Sequence, residues 1–191
     1  MVFFFVFDLD NTLAPTDEIL KSPMGQTFTI DDYDQLFLPN PLLKAALLSL
    51  PGPKFIASNG TTSHVHHVLK AMKIDDCFQG AQSRREDTEP SCLKPFPKFY
   101  MDLLMHLHDF AKKNHLNFNE VQIVYFDDIL ENLIVPRKFG WITVHISSAP
   151  PVSRHNAEIV SPQFSFVSVE TALQRMFPFI SENMHASSPF L

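Results

Sequence analysis

Glycine and cysteine are scarce in this chain, with 5 and 2 copies among its 191 residues. The two cysteines, Cys77 and Cys92, form neither a close-spaced metal-binding pair nor a disulfide framework, which favours a reducing compartment. An excess of basic residues is also missing, because the formal net charge is −6 with the histidines neutral. We therefore expect no broad nucleic-acid-binding surface.

Long apolar runs are absent as well. The N-terminal run is about six residues long, has no basic lead and ends in carboxylates, so it fits neither a signal peptide nor a membrane span. We expect no membrane partner and a cytoplasmic protein, with the nucleus as the alternative. The length predicts one domain over residues 1–180 and a flexible tail over 181–191, and it leaves the oligomeric state open.

Strand signals alternate with helix signals, which predicts an α/β fold with a mostly parallel central sheet flanked by helices. The predicted strands are Val2–Phe7, Lys54–Ala57, Phe78–Ser83, Val121–Phe126, Trp141–Ile146 and Phe164–Val167. The predicted helices are Asp31–Phe37, Pro41–Leu50, Thr61–Met72, Pro97–Asn114, Leu130–Phe139 and Glu170–Phe177. Residues Ala149–Val160, rich in Pro, Ser and Asn, are predicted to form a loop.

Two aspartates, Asp8 and Asp10, follow the first predicted strand. That strand is apolar at every position, which is typical of a strand buried on both faces. Ligands of open α/β sheets bind just beyond the carboxyl ends of such strands, so both carboxylates are predicted to meet a ligand. A single Asp at this point is often only a helix N-cap. Two carboxylates so close together repel each other, and a bound cation is the usual remedy.

Three further polar motifs follow along the chain. They are Ser58-Asn59-Gly60 after the second strand, Lys94 before a proline, and Asp127-Asp128 after the fourth strand. Each is weak alone, since Ser-Asn-Gly turns and surface lysines are common. In this order, after F-D-L-D-N-T-L, they resemble the four motifs of the haloacid dehalogenase superfamily of phosphatases. The resemblance implies that superfamily's Rossmannoid three-layer sandwich.

The resemblance also implies a role for each residue of the first motif. Asp8 is expected to be the nucleophile that forms an aspartyl-phosphate, which divides one difficult step into two. Asp10 is expected to protonate the leaving oxygen and later to activate water. The hydroxyl of Thr12 is expected to steady the loop.

The second and third motifs are expected to bind the phosphate. Ser58 would donate its hydroxyl, while Asn59 and Gly60 allow the chain to turn and present backbone N–H groups. Lys94 would supply a positive charge to the phosphate and to Asp8.

A Mg²⁺ site is implied by the same resemblance. Its expected ligands are Asp8, Asp128 and Asp10, the last through its backbone carbonyl in the family, with Asn132 supporting Asp128. Asp127 is predicted to lie behind the ligands and orient the metal's waters, with direct ligation as the alternative. An all-oxygen set of this kind suits Mg²⁺.

Within the superfamily the motifs are most similar to the pyrimidine 5′-nucleotidase branch, including K-F-G-W-I-T-V after the fourth motif. The substrate-covering cap differs, because residues 14–39 have room only for a minimal flap and one short helix. Phe28, Tyr33 and Phe37 of this insert are predicted to touch the substrate, with core packing as the alternative.

The histidines suggest a metal site only at first sight. His64, His66 and His67 lie near the start of the helix after Ser58, yet no carboxylate or cysteine completes a zinc set at a recognisable spacing. A solvated helix face is predicted instead.

Three functional hypotheses remain. The first is Mg²⁺-dependent hydrolysis of a small phosphomonoester, with nucleoside 5′-monophosphates as candidates. The second is a phosphatase of a protein or of a nucleic-acid end. The third is a non-catalytic binding module, against which the intact motif set argues.

Overall fold

The computed structural model describes residues 1–21, 32–147 and 162–185. The strands in these ranges are β1 (Val2–Phe7), β2 (Lys54–Thr61), β3 (Gly80–Arg84), β4 (Val121–Asp127), β5 (Ile142–Ile146) and β6 (Phe164–Phe166). The helices are α1 (Thr16–Lys21), α2 (Tyr33–Leu36), α3 (Pro41–Ser49), α4 (Thr62–Ala71), α5 (Pro97–Lys113), α6 (Ile134–Lys138) and α7 (Val169–His185).

The six strands form one parallel sheet in the order β3-β2-β1-β4-β5-β6, with helices packed on it, which confirms the predicted α/β class. The direction in which strands are added reverses between β1 and β4, and ligands of such sheets bind at this point. Phe7 is paired with Ile56 of β2 and with Phe126 of β4. The backbone N–H of Asp8 continues the ladder by donating to the Phe126 carbonyl at 2.8 Å.

Strand β1 is buried on both faces, as its uniform apolar character predicts. Phe3, Phe5 and Phe7 belong to a core cluster that includes the inner faces of α3, α4 and α7. Phe4 and Val6 point the other way, into a second cluster built with α5. The three layers of the sandwich therefore meet at this central strand. Asp8, which follows it, extends from a strand that is packed on both faces.

Several elements differ from their predicted bounds. Strand β2, predicted as Lys54–Ala57, continues through the Ser-Asn-Gly motif to Thr61, and β3, predicted as Phe78–Ser83, is Gly80–Arg84. The predicted helix Leu130–Phe139 is a 3₁₀ turn over Leu130–Leu133 followed by the short α6. Pro136 explains the break, because proline lacks an N–H and fits only the first turn of a helix. The last predicted helix ended at Phe177, whereas α7 continues through Pro178 to His185.

The insert between the first and second motifs contains two short helices, α1 and α2, of which only α2 was expected. Phe28, the predicted loop Ala149–Val160 and the end of the predicted tail lie outside the described residues. Among the described residues, no helix is both long and apolar enough to cross a membrane.

Helix α3 supplies a direct test of which faces form the core. Leu43 is 1% exposed and its neighbour Leu42 is 77% exposed. We expect Leu43→Ala to lower the free energy of unfolding by about 2–5 kcal/mol, because it leaves a cavity in the first core cluster. The matched change Leu42→Ala should lower it by less than about 0.5 kcal/mol. Urea unfolding followed by circular dichroism measures both, and similar losses in the two variants would contradict this packing.

Candidate active site

A buried ion pair joins the first and third motifs. The ammonium of Lys94 lies 2.7 Å from Asp8 Oδ1 and 2.9 Å from Asp127 Oδ2, and all three side chains are almost completely buried. Burial favours the neutral amine, but the carboxylates of Asp127 and Asp8 outweigh it and raise the pKa of Lys94 to about 12. Lys94 is therefore a fixed positive charge at the end of β1.

The carboxylate of Asp127 is already saturated with hydrogen bonds. Its Oδ2 accepts from Lys94 and from the Tyr125 hydroxyl, the latter at 3.1 Å. Its Oδ1 accepts from the Ile129 backbone N–H and from the Asn132 amide, both at 2.9 Å. A carboxylate with this many donors is poorly placed to give an oxygen to a metal. The contacts favour the predicted indirect role for Asp127, and they assign the support of Asn132 to Asp127 instead of Asp128.

The second motif holds the third in place. The Asn59 side chain donates to the Lys94 carbonyl at 3.0 Å and accepts from the Lys94 backbone N–H at 2.8 Å. Its amide therefore positions Lys94, and any phosphate contact of Asn59 would have to come from the backbone. Ser58 is fully buried, and its Oγ accepts from the Gly60 N–H at 2.9 Å.

Gly60 lies so close to neighbouring side chains that a Cβ atom would not fit without movement. A Cβ on Gly60 would stand 2.9 Å from the His64 ring, 3.1 Å from Ser58 Oγ and 3.5 Å from Asp10 Oδ2. The backbone at Gly60 thus packs directly against the His64 ring and the Ser58 hydroxyl. Any larger residue at Gly60 would displace them.

Three carboxylates converge where a cation could bind. Oxygens of Asp8, Asp127 and Asp128 all lie within 4.8 Å of one another. Burial raises the pKa of Asp8 and of Asp128, and the charge of Asp127 adds to both shifts, while Lys94 lowers the pKa of each. One ammonium does not balance three carboxylates, so a divalent cation would relieve the repulsion that remains.

Asp128 is oriented by two contacts. Its Oδ1 accepts from the Thr12 hydroxyl at 3.4 Å, and its backbone carbonyl accepts from His145 Nε2 at 2.9 Å. Thr12 therefore links the loop after β1 to the end of β4. His145 was not identified from the sequence. Its place on β5 opposite Asp127 would have been the only signal, and that register is not readable from the residues alone.

The side chain of Asp10 does not belong to the three-carboxylate cluster. Its Oδ1 accepts from the Thr16 hydroxyl at 2.7 Å and lies 2.8 Å from His64 Nε2. Burial raises the pKa of Asp10, but the hydrogen bonds from His64 and Thr16 outweigh it, so the pKa lies below its usual value. The side chain is thus held apart from the predicted metal ligands, and only its backbone could join them.

The structure corrects two predictions near Asp10. His64 is not part of a solvated helix face, since its side chain is only 19% exposed and contacts both Asp10 and the Tyr33 hydroxyl. Its position in the first turn of α4, directly after the second motif, was the available signal. Tyr33 and Phe37 were predicted to touch the substrate, but both are buried in the first core cluster. His66 follows the prediction and is exposed.

No protein-family sequence profile matches the chain, whereas solved structures do. L-2-haloacid dehalogenase from Xanthobacter autotrophicus, with chloropropionic acid covalently bound, is 13% identical with a TM-score of 0.62, over 93% of this chain and 99% of that one. A haloacid dehalogenase-like hydrolase from Streptococcus pneumoniae is 16% identical with a TM-score of 0.56, over 92% and 98%. A haloacid dehalogenase-like protein of unknown function from Agrobacterium tumefaciens is 14% identical with a TM-score of 0.58, over 97% and 100%.

The chain has the haloacid dehalogenase-like fold. The fold expected from the four motifs is therefore confirmed. At these identities the likeness concerns the fold alone, and the named hydrolases include a dehalogenase. Membership of the pyrimidine 5′-nucleotidase branch stays a prediction.

The hydrogen bonds of Asp127 lead to a stability prediction that needs no substrate or metal. Asp127→Asn should lower the free energy of unfolding by at least about 2 kcal/mol, because an amide turns one acceptor oxygen into a donor among four donors and removes a charge from Lys94. Urea unfolding in excess chelator is the measurement.

Asp128→Asn is the matched control for that prediction. Asp128 lies next in sequence and is less buried, and its neutralisation removes a like charge from the cluster. We expect its free energy of unfolding in chelator to stay within about 1 kcal/mol of the wild type. If the two variants lost stability equally, the distinct structural role of Asp127 would be wrong.

Proposed function

We propose that the protein is a Mg²⁺-dependent phosphomonoester hydrolase that works through an aspartyl-phosphate on Asp8. The observation that supports this most directly is the buried contact of Asp8 with Lys94 at the carboxyl end of β1, with a second carboxylate, Asp10, two residues away. Phosphoryl transfer needs a nucleophile in line, positive charge near the equatorial oxygens and a proton for the leaving oxygen. The described residues offer all three.

Asp8 is the proposed nucleophile because both its backbone and its carboxylate are held in place at the end of β1. Its backbone is fixed by the β1–β4 ladder, and Lys94 holds Oδ1 at 2.7 Å. An oxygen of Asp8 attacks phosphorus as the bond to the leaving oxygen breaks, and water later cleaves the acyl phosphate. Lys94 stays charged throughout and lowers the repulsion between a carboxylate and an incoming phosphate.

The donor set of the acidic cluster fits Mg²⁺. It consists of carboxylate oxygens alone, and burial, to which the charge of Asp127 adds, raises the pKa of both Asp8 and Asp128. Asp8 and Asp128 would hold the ion, since Asp127 is occupied by four donors. When bound, Mg²⁺ supplies positive charge that stabilises the phosphoryl oxygens in the transition state.

Asp10 is the proposed general acid and base. Its side chain lies outside the cation cluster, so a proton that it takes up in the substrate complex can pass to the leaving oxygen without competition from a metal ligand role. Hydrogen bonds from Thr16 and His64 fix its orientation. The same carboxylate then accepts a proton from the attacking water.

The chemistry favours phosphate transfer over dehalogenation. Halide displacement from carbon needs a nucleophile, but a halide leaves without a proton and without a divalent cation. In halide displacement a general acid at Asp10 and a cation held by Asp128 would have no task, whereas Asp127 would hold Lys94 in either reaction. We therefore propose a small phosphomonoester as the substrate, and the resemblance of the motifs makes nucleoside 5′-monophosphates the first group to assay.

Metal dependence gives the first functional prediction. The protein should hydrolyse members of a phosphomonoester panel with Mg²⁺, lose that activity in excess chelator and regain it when Mg²⁺ is restored. The panel should combine nucleoside monophosphates, sugar phosphates and an aryl phosphate, with chloropropionic acid as a comparison substrate. Phosphate and chloride release are the measurements. Chloride release without phosphatase activity would overturn the proposed function.

The two aspartates should fail in different ways. Asp8→Asn removes the nucleophile, so both turnover and a chemically trapped phosphoenzyme should fall by at least about 10³-fold. Asp10→Asn should reduce turnover similarly, yet still form the covalent adduct slowly. The exposed Asp109→Asn is the control and should behave as the wild type. A phosphoenzyme in Asp8→Asn would mean that another residue is the nucleophile.

A further inference from the structure

Tyr33, His64 and Asp10 form a continuous hydrogen-bonded chain across three elements. The Tyr33 hydroxyl of α2 lies 2.8 Å from His64 Nδ1 of α4. The other ring nitrogen, Nε2, lies 2.8 Å from Asp10 Oδ1 in the loop after β1. These contacts join the insert to the proposed general acid and base, and none of the four motifs includes His64 or Tyr33.

The partners define the direction of the hydrogen bonds. Asp10 Oδ1 also accepts from Thr16, so it is an acceptor in this arrangement, and His64 Nε2 at 2.8 Å carries the hydrogen. In a neutral imidazole the other nitrogen is then an acceptor, so the Tyr33 hydroxyl donates to Nδ1. Tyr33 thus selects the His64 tautomer that can donate to Asp10.

Packing holds the His64 ring in this orientation. Its edge faces Gly60, where a Cβ would approach to 2.9 Å. Phe37 meets the ring edge-on at a centroid distance of 6.3 Å, and Phe37 itself stacks on Tyr33 at 5.5 Å. Rotation of the imidazole would therefore require movement of the insert helix α2 or of the second motif.

We propose that Tyr33 and His64 are positioning residues for Asp10: they hold Oδ1 as an acceptor so that Oδ2 carries the transferred proton. The proposal rests on the proposed function. The proton moves from Oδ2 to the leaving oxygen as the P–O bond of the substrate breaks and the bond from Asp8 to phosphorus forms. Oδ2 lies on the side of Gly60 and the second motif, where the phosphate is expected. Because Tyr33 belongs to the insert, the placement of Asp10 depends on how α2 is docked.

A leaving-group series tests the proposal with the full-length protein and Mg²⁺. The measured quantity is kcat/KM, which reports phosphoenzyme formation, for p-nitrophenyl phosphate, phenyl phosphate and an alkyl phosphate. His64→Ala should reduce kcat/KM about 100-fold for the alkyl phosphate and less than about tenfold for p-nitrophenyl phosphate, whose leaving group needs little protonation. Equal losses for all three substrates would overturn the proposal.

Conservative variants separate positioning from folding. His64→Gln can place an amide N–H near Nε2 and should recover at least half of the lost kcat/KM on a logarithmic scale. His64→Asn, which reaches only the Nδ1 position, should not. His67→Ala is the matched control, because His67 lies on the same helix and against the Tyr33 ring at 5.3 Å without a described contact to Asp10. It should leave the leaving-group dependence unchanged.

A second readout needs no catalysis. Nitrogen-15 chemical shifts of His64, recorded for the metal-free protein above the pH at which the ring titrates, should report the tautomer protonated on Nε2, and Tyr33→Phe should shift the Nδ1 signal while the fold is retained. Mixed tautomers in the wild type would overturn the proposal even if phosphatase activity is found. The expected tautomer in a protein with no phosphatase activity would instead show that the contacts exist and that the proposed function is wrong.

Discussion

One buried ammonium is the interaction on which the site depends. Lys94 lies between Asp8, which follows β1, and Asp127, which ends β4, so it can satisfy both only if these strands are neighbours in the sheet. Two buried carboxylates without this cation would repel each other at the point where the strand order reverses. The charge pairing and the sheet topology therefore require each other, and Asn59 of β2 completes the arrangement by holding the Lys94 backbone.

The sequence predicted the end of β1 well because a polar residue stops its apolar run abruptly. β1 is apolar throughout because its two faces contact different cores, and the first polar residue, Asp8, therefore marks the end of the strand. The same reasoning located Asp127 at the end of β4, whereas β2 continues past Ser58 to Thr61 because its polar residues keep the strand conformation. Helix ends were less predictable, since α7 continues past Pro178 and the segment at Leu130 divides into two short helical pieces. Local backbone alternatives of this kind differ by little free energy.

The parts of the site that the sequence could not provide are those that depend on distant contacts. His64 and Asp10 are 54 positions apart, and nothing in the spacing of the histidines shows that one of them faces a carboxylate. Asn132 illustrates a finer ambiguity, because a residue four or five positions after an acidic pair can support either member. In the structure Asn132 lies in a 3₁₀ turn at Leu130–Leu133, which the helical pattern did not indicate, and its amide donates to Asp127.

Asp127, the first residue of the acidic pair, explains how Lys94 can be both charged and open to a further contact. An ammonium has three donors, and the contacts with Asp8 and Asp127 use two of them among the described residues. If Asp8 were the sole partner, the ammonium would be directed at Asp8 alone, and the proposed nucleophile would be neutralised by a closed ion pair. Because Asp127 shares the ammonium and is itself held by Tyr125, Ile129 and Asn132, Lys94 keeps a fixed direction. In the proposed reaction its third hydrogen would contact a phosphate oxygen, while the Asp8 oxygen not bound to Lys94 would attack phosphorus.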